Sequence, residues 1–197
     1  MHEQVQKALQ VLIGKPLWSS GRAADLEWFQ FGQRKTVKGA RGDTKEVGEY
    51  ALHVQCAWRI RHSDQVVVAS RDLYYPATET DGPVQDFDWD VQGANRRDRL
   101  MTELFQNEPR QFFVQEVTVG NAGAFTIFFR DAYALDVFPD DSLRDEHWRI
   151  FKPYTEESPL FSAVPEWYVE LASHLVYQTV VTSLFRSKPG VGEFFEC

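Results

Sequence analysis

Only two cysteines occur among 197 residues, too few for a disulfide framework, so a reducing compartment suits the chain best. No apolar run approaches the roughly 20 residues that a membrane-spanning helix needs. The opening segment, MHEQVQKALQVLIG, lacks the basic start and uninterrupted apolar centre of a signal peptide. A soluble cytoplasmic protein is the expectation. Basic charge is also short: 21 Lys and Arg face 29 Asp and Glu, a formal net charge of -8. That balance argues against a general binder of nucleic-acid backbone and leaves a basic protein as the natural partner. Signatures of chemistry are missing as well. Gly14-Lys15 has no upstream glycines at phosphate-loop spacing, and Pro16 follows it. There is no G-x-S-x-G elbow, and no pair of cysteines or histidines has zinc spacing. Neither a metal nor another cofactor is expected.

Aromatic residues, by contrast, are plentiful: 15 Phe, 7 Tyr and 6 Trp. They bury large areas and favour strands, which predicts an aromatic, β-weighted core. The stretch Gly48 to Tyr75 carries the strongest pattern. Tyr50, Leu52, Val54, Cys56, Trp58 and Ile60 alternate with His53, Gln55 and Arg59, giving one buried and one polar face. His62-Ser63-Asp64 then turns the chain into a second β-rich run, Val66 to Tyr75, so the spacing predicts a long hairpin.

Helical spacing of Val5, Leu9, Leu12 and Ile13, stopped by Gly14, predicts an N-terminal helix. Pro16 to Phe31 reads as two strands joined near Gly21 to Asp25, and Gln33 to Glu46 as a basic, mobile loop. A polar loop over Pro76 to Pro83 precedes an alternating strand, Asp86 to Val91. Leu100, Met101, Leu104 and Phe105 place a middle helix between Asn95 and Asn107. Phe112 to Val119, Ala124 to Phe129 and Tyr133 to Phe138 follow as a meander with Gly-Asn and Arg-Asp turns. After Trp148 to Phe151 the composition shifts at Lys152. Ser162 is placed to cap a C-terminal helix starting near Pro165, with Trp167, Tyr168, Leu171, Leu175 and Val176 on its apolar face. The expected class is α+β, a largely antiparallel, aromatic-cored sheet with N-terminal, middle and C-terminal helices. Residues 1–151 would form the domain and 152–197 a helical extension packed on it.

One internal echo stands out. Tyr50-Ala51-Leu52-His53-Val54 precedes Trp58-Arg59-Ile60, and Tyr133-Ala134-Leu135-Asp136-Val137 precedes Trp148-Arg149-Ile150. A duplicated β-unit explains it; so does the small residue alphabet of strands, and the sequence favours neither.

Two polar constellations invite a functional reading. Asp86, Asp88 and Asp90 alternate along the expected strand, and hard cations take oxygen ligands. A calcium loop, however, needs glycine at its sixth and glutamate at its twelfth position, where Val91 and Arg97 stand. A solvated acidic face is the better reading. The second constellation is the outer face of the hairpin: His53, Gln55 and Arg59, with Asp72 beside them from the partner strand, and Arg22 and Asp25 approaching from an earlier turn. Histidine between carboxylate and guanidinium can hold an anion or move a proton, while cross-strand polar pairs also stabilise any half-exposed sheet. These six residues are the candidate ligand or partner site. His2, His62, His147 and His174 are scattered singly, and Trp148-Arg149 suits either an interface or a buried tryptophan beside a salt-bridged arginine.

The motifs GEYALHVQCAWRI, SRDLYYP, WDVQG, ALDVFPD and EHWRIF, between about Leu12 and Phe151, resemble a family of small uncharacterised bacterial proteins. The resemblance carries no catalytic residues. Together with small size and negative charge, it implies a non-catalytic module of the immunity-protein kind, which binds and neutralises a basic toxin. The rival expectations are a small-molecule binder with an aromatic pocket and an enzyme built on His53 with Asp72 or Asp25.

Overall fold

The computed structural model describes residues 2–39, 42–78, 87–106, 112–142, 145–154 and 161–163. Two helices lie among them, α1 (His2–Gln10) and α2 (Arg96–Gln106). Strands β1 (Pro16–Ala23) and β2 (Leu26–Phe31) are followed by β3 (Lys35–Lys38), β4 (Thr44–Val47), β5 (Tyr50–Val54), β6 (Ala57–His62) and β7 (Gln65–Ala69). After α2 come β8 (Phe112–Val119), β9 (Phe125–Phe129), β10 (Tyr133–Phe138), β11 (Trp148–Phe151) and β12 (Phe161–Ala163). Ten strands form one sheet in the order β12-β11-β5-β2-β1-β8-β9-β10-β6-β7, and β3 pairs with β4 alone. Every described pairing is antiparallel. No helix of the described residues is long and apolar enough to cross a membrane.

The order forces the sheet to curl. Only Gln55 and Cys56 separate β5 from β6, a step of at most about 11 Å. Yet β5 is third and β6 ninth in the sheet, about 29 Å apart were it flat. The sheet therefore folds over on itself, bringing distant strands face to face across an aromatic interior. Phe29 of β2 meets Trp58 of β6 edge-on at 5.4 Å, and Phe125 of β9 meets Trp148 of β11 at 4.8 Å. Phe29, Phe31, Leu52, Ile60, Ile127, Phe129, Leu135 and Trp148 fill this core.

The expected long hairpin is thus corrected. Its inward residues are core, as alternation implies, but the run breaks at Gln55-Cys56 and its halves join different parts of the sheet. The true hairpin is β6–β7, turned at Ser63, whose φ is 52°. Ser70–Tyr74 forms a 3-10 turn instead of a strand, because the Asp72 carboxylate accepts the Ala69 backbone N–H at 2.8 Å and winds the chain. The basic loop contains the β3–β4 hairpin. The described part of Asp86–Val91 is coil and turn, where Asp88 Oδ1 accepts the Asp90 N–H. Ser162 lies in β12, which extends the sheet, and donates to Glu146; the helix expected from Pro165 lies outside the described residues.

The echo is a structural repeat. In β5–β11, Val54, His53 and Leu52 face Trp148, Arg149 and Ile150; in β10–β6, Val137, Asp136 and Leu135 face Trp58, Arg59 and Ile60. The neighbouring strands agree as well. Pair β1–β2 shifts register between Leu17 and Ser19, and β8–β9 shifts at the matching place, between Val114 and Glu116. Each half is a helix and four sheet strands, α1-β1-β2-β5-β6 and α2-β8-β9-β10-β11, with the fourth strands exchanged. The halves meet where Pro16 pairs with Phe113, on a pseudo-twofold axis.

Gly48 shows how tightly β2 and β5 approach. A Cβ there would sit 2.7 Å from the carbonyl oxygens of Phe31 and Tyr50, which are backbone and cannot swing away. Gly48→Ala is expected to lower stability by about 1–3 kcal/mol in urea denaturation, and a neutral result would show that the β2–β5 join yields.

Candidate functional site

At the mouth of β1–β2 the sequence buries charge. Arg22, next to last in β1, and Glu27, second in β2, are register partners, while Arg97 and Asp98 reach them from the first turn of α2. The helix start explains the placement. Asn95 Oδ1 accepts the Asp98 backbone N–H at 2.8 Å, a cap that fixes the first turn, and Asn95 Nδ2 donates to Asp98 Oδ2 at 3.1 Å. A carboxylate in that turn also suits the positive end of the helix.

The four side chains form a closed network, each at most 7% exposed. Arg22 grips both oxygens of Asp98 in bonds of 2.9 Å, and Arg97 Nη1 donates to the Oδ1 that Arg22 Nε also uses, at 3.0 Å. Arg97 also holds Glu27 through Nε at 2.8 Å and through Nη2. Burial pushes Glu27 up to about 8, against the opposing pull of Arg97. Burial opposes the charge of Asp98 too, but bonds from Arg22 and from the Gly93 N–H at 2.8 Å hold its pKa below the usual carboxylate value. The two acids therefore differ in character: the pKa of Asp98 is held down by its donors, whereas burial raises that of Glu27 despite Arg97.

A cavity of about 310 Å³ opens beside this network. The β1–β2 turn, the β5–β6 step, the 3-10 turn after β7 and the residues following β10 enclose it, with Trp58, Tyr74 and Leu73 as its apolar walls. Of the six candidates from sequence, the structure brings Arg22, Asp25 and Gln55 to this cavity. The other three stand elsewhere. His53 sits on the outer face of β5, where Arg149 Nη2 donates to its Nδ1 at 3.3 Å and the Phe151 ring abuts it edge-on at 4.8 Å. Arg59 bonds Asp136 at 2.8 Å on β10. Asp72 is held by the Ala69 N–H and lies 3.5 Å from Arg96. His53–Arg149 and Asp136–Arg59 occupy the same cross-strand position in the two halves. Trp148 is buried with its indole N–H donated to the Gly123 carbonyl, and Arg149 lies 3.4 Å from Glu146.

No known protein family, curated protein or solved structure matches the chain.

Sequence reasoning missed Glu27, Arg97 and Asp98. Two signals pointed to them: a carboxylate inside the aromatic run LEWFQF, and the Asn95-x-x-Asp98 pattern that opens a helix. Among the described residues no group of three or more acids, histidines or cysteines could hold a metal ion. Cys56 borders the cavity, but burial, followed by the charges of Asp140 and Asp141, pushes its thiol up to about 12, far from a reactive thiolate.

Removing one partner of a buried pair strands the other. Arg97→Met is expected to cost about 3–5 kcal/mol in denaturant unfolding, whereas Glu27→Gln, which removes the charge but keeps one carbonyl acceptor for Arg97, should cost less. Equal losses would show that Glu27 is needed as an anion.

Burial, reinforced by the Arg149 charge, lowers His53 to about 3. Between pH 6.5 and 3 the unfolded chain holds a proton on His53 that the folded protein excludes, so acidification over that range costs stability. His53→Gln should shrink the loss of unfolding free energy from pH 7 to pH 4 by up to about 3 kcal/mol. An unchanged difference would mean that His53 charges freely in the fold.

Proposed function

We propose that the protein is a non-catalytic binding protein whose site is the cavity beside the Arg22–Asp98–Arg97–Glu27 network. One observation carries this reading: the network occupies only one half of a repeated scaffold. By strand register, Arg22 corresponds to Val119 and Glu27 to Phe125. In the second half Phe125 packs edge-on against Trp148 and the place is apolar. In the first half Trp58, the counterpart of Trp148, borders the cavity. The fold can thus be built here from apolar residues, which commonly equal or exceed buried ion pairs in stability. Four buried ionisable groups next to an open cavity are then better explained by binding than by folding.

The state of the neighbouring groups supports binding over catalysis. The Cys56 thiol is held protonated, His53 is neutral and engaged by Arg149 away from the cavity, and Glu27 is tied to Arg97. A free, buried Cys56 also accords with a reducing, cytoplasmic setting.

A second reading, a basic protein partner of the toxin-neutralising kind, has one observation in its favour. Tyr74 and Tyr75 are 51% and 56% exposed, and Tyr74 packs against Trp89 at 5.5 Å beside the cavity mouth. Such aromatics make interface hot spots, and the net charge of -8 would steer a basic surface toward them.

Ala57→Trp separates the readings, since Ala57 borders the cavity and a strand tolerates tryptophan. A small-molecule extract of the native host should raise the melting temperature of the wild-type protein but not of the variant. The variant's own midpoint should lie within about 4 °C of wild type. Stabilisation that survives the blocked cavity would sink the first reading, and a basic protein retained by Ala57→Trp but lost by Tyr74→Ala would establish the second.

A further inference from the structure

We propose that the β3–β4 hairpin is a docking arm for an acidic protein segment, an extended chain with carboxylates at alternating positions. The internal repeat shows what the fold needs at this place. Between β9 and β10 the chain turns in residues 130–132, whereas the equivalent link from β2 to β5 runs through residues 32–49. A short turn therefore satisfies this backbone, and the hairpin is an addition. It lies at the far end of β2 and β5 from the cavity, so a ligand bound there does not account for it.

The charge of the arm departs from that of the chain. Residues 33–46 hold five of the 21 basic residues and two of the 29 acidic ones, in a protein of net charge -8. One of those acids is spent internally: Glu46 lies 3.6 Å from Arg34, on the face that alternation gives to Thr36, Lys38 and Thr44. The other face carries Lys35, Val37 and Lys45 with no acid beside them. At the root, Glu49 is bound by Lys15 at 2.9 Å, with Lys35 a lesser influence on it, so the surplus belongs to the arm. The four-residue strands reach about 13 Å, farther than the roughly 8 Å at which physiological salt screens the acidic body.

The arm is also held in place. Arg34 lies over the Trp18 ring at 4.5 Å and Lys45 over the Tyr154 ring at 5.1 Å, and the Gly48 N–H is donated to Gln30 Oε1 at 2.7 Å. Trp18 is the residue where β1 shifts register; its counterpart at the shift in β8 is Gln115, exposed to solvent. The platform under Arg34 is thus as particular to this half as the arm itself. Among the described strands β3 and β4 pair only with each other, which leaves both outer edges open to a further strand. Backbone pairing on such an edge supplies affinity, and lysines beside it select acids. Nucleic acid fits less well, because its charge continues past the arm and meets the acidic body. The rings at the root already carry cations of this chain and are not free to stack on bases.

The test titrates the full chain with a blocked ten-residue peptide of alternating glutamate and threonine, against the glutamine–threonine peptide and short single-stranded and duplex DNA. Calorimetry reads binding, and sedimentation reads self-association. The acidic peptide should bind, weaken with added salt, and lose roughly tenfold in affinity in Lys35→Gln/Lys45→Gln. Lys7→Glu, which changes the net charge equally from α1, should leave the affinity within about twofold. Equal losses in the two variants, or equal binding of the neutral peptide, would overturn the arm as a site for acids. Tighter binding of either DNA would overturn the protein partner in favour of nucleic acid. Self-association that the arm variant abolishes would assign the arm to a second copy of the chain and overturn the peptide as well. No binding at millimolar peptide would end the proposal. If the arm variant fails to fold, amide resonances of the wild-type protein decide: the peptide should move those of Val37 and Lys45, and shifts confined to other strands would overturn the arm.

Discussion

The two-residue step at Gln55-Cys56 is the constraint on which the rest of the molecule depends. It joins strands that the sheet holds six places apart, and a chain that short can reach only if the sheet closes over its own face. Closure turns an aromatic surface into a core, so Phe29 finds Trp58 and Phe125 finds Trp148. It also sets the step itself against the β1–β2 turn, and the cavity opens along that seam.

Within this frame the two halves make an internal control. Their registers agree strand by strand, down to the irregularity after Leu17 and after Val114, so the same backbone is built twice with different side chains. A feature present in both halves belongs to the architecture. The cross-strand pairs His53–Arg149 and Asp136–Arg59 are of this kind. A feature present in one half alone needs another cause. The buried network is of that second kind, because Val119 and Phe125 meet the same backbone demands without charge.

Much of this was legible in the sequence, and the limits have physical causes. Period-two alternation marked Leu52, Val54, Cys56, Trp58 and Ile60 as buried, while Tyr50 is half-buried and Ala51, on the other face, is buried too. It could not mark the break at Gln55-Cys56, since inward and outward positions keep alternating across the step while the pairing partners change. The turn at Ser70–Tyr74 escaped because Leu73, Tyr74 and Tyr75 favour strands, whereas one Asp72 carboxylate bonding the backbone winds the chain the other way. The echo was visible as letters, but only register distinguishes a repeat from shared strand composition. His53 drew attention as the lone histidine of a polar face, and cross-strand pairing accounts for its setting. Arg22 and Asp25 reach the cavity from the end of β1 and its turn, and Gln55 from the β5–β6 step, a convergence that depends on the curl.

The halves also differ in the connections that lead into their fourth strands, and these differences meet at one place. Between β5 and β6 only residues 55–56 intervene; between β10 and β11 the equivalent path runs through residues 139–147. The short connection leaves space beside Trp58, and the long one carries Asp140 and Asp141 into it. Glu27 and Arg22 change the floor of that space from apolar to ionic, and α2 supplies Arg97 and Asp98 to neutralise them. Loop length, strand residues and helix start are independent features of the chain. Each departs from its counterpart in the other half, and each departure borders or supports the same cavity. Changes unrelated to one another would scatter over the surface, and their convergence on one cavity is what the binding proposal requires.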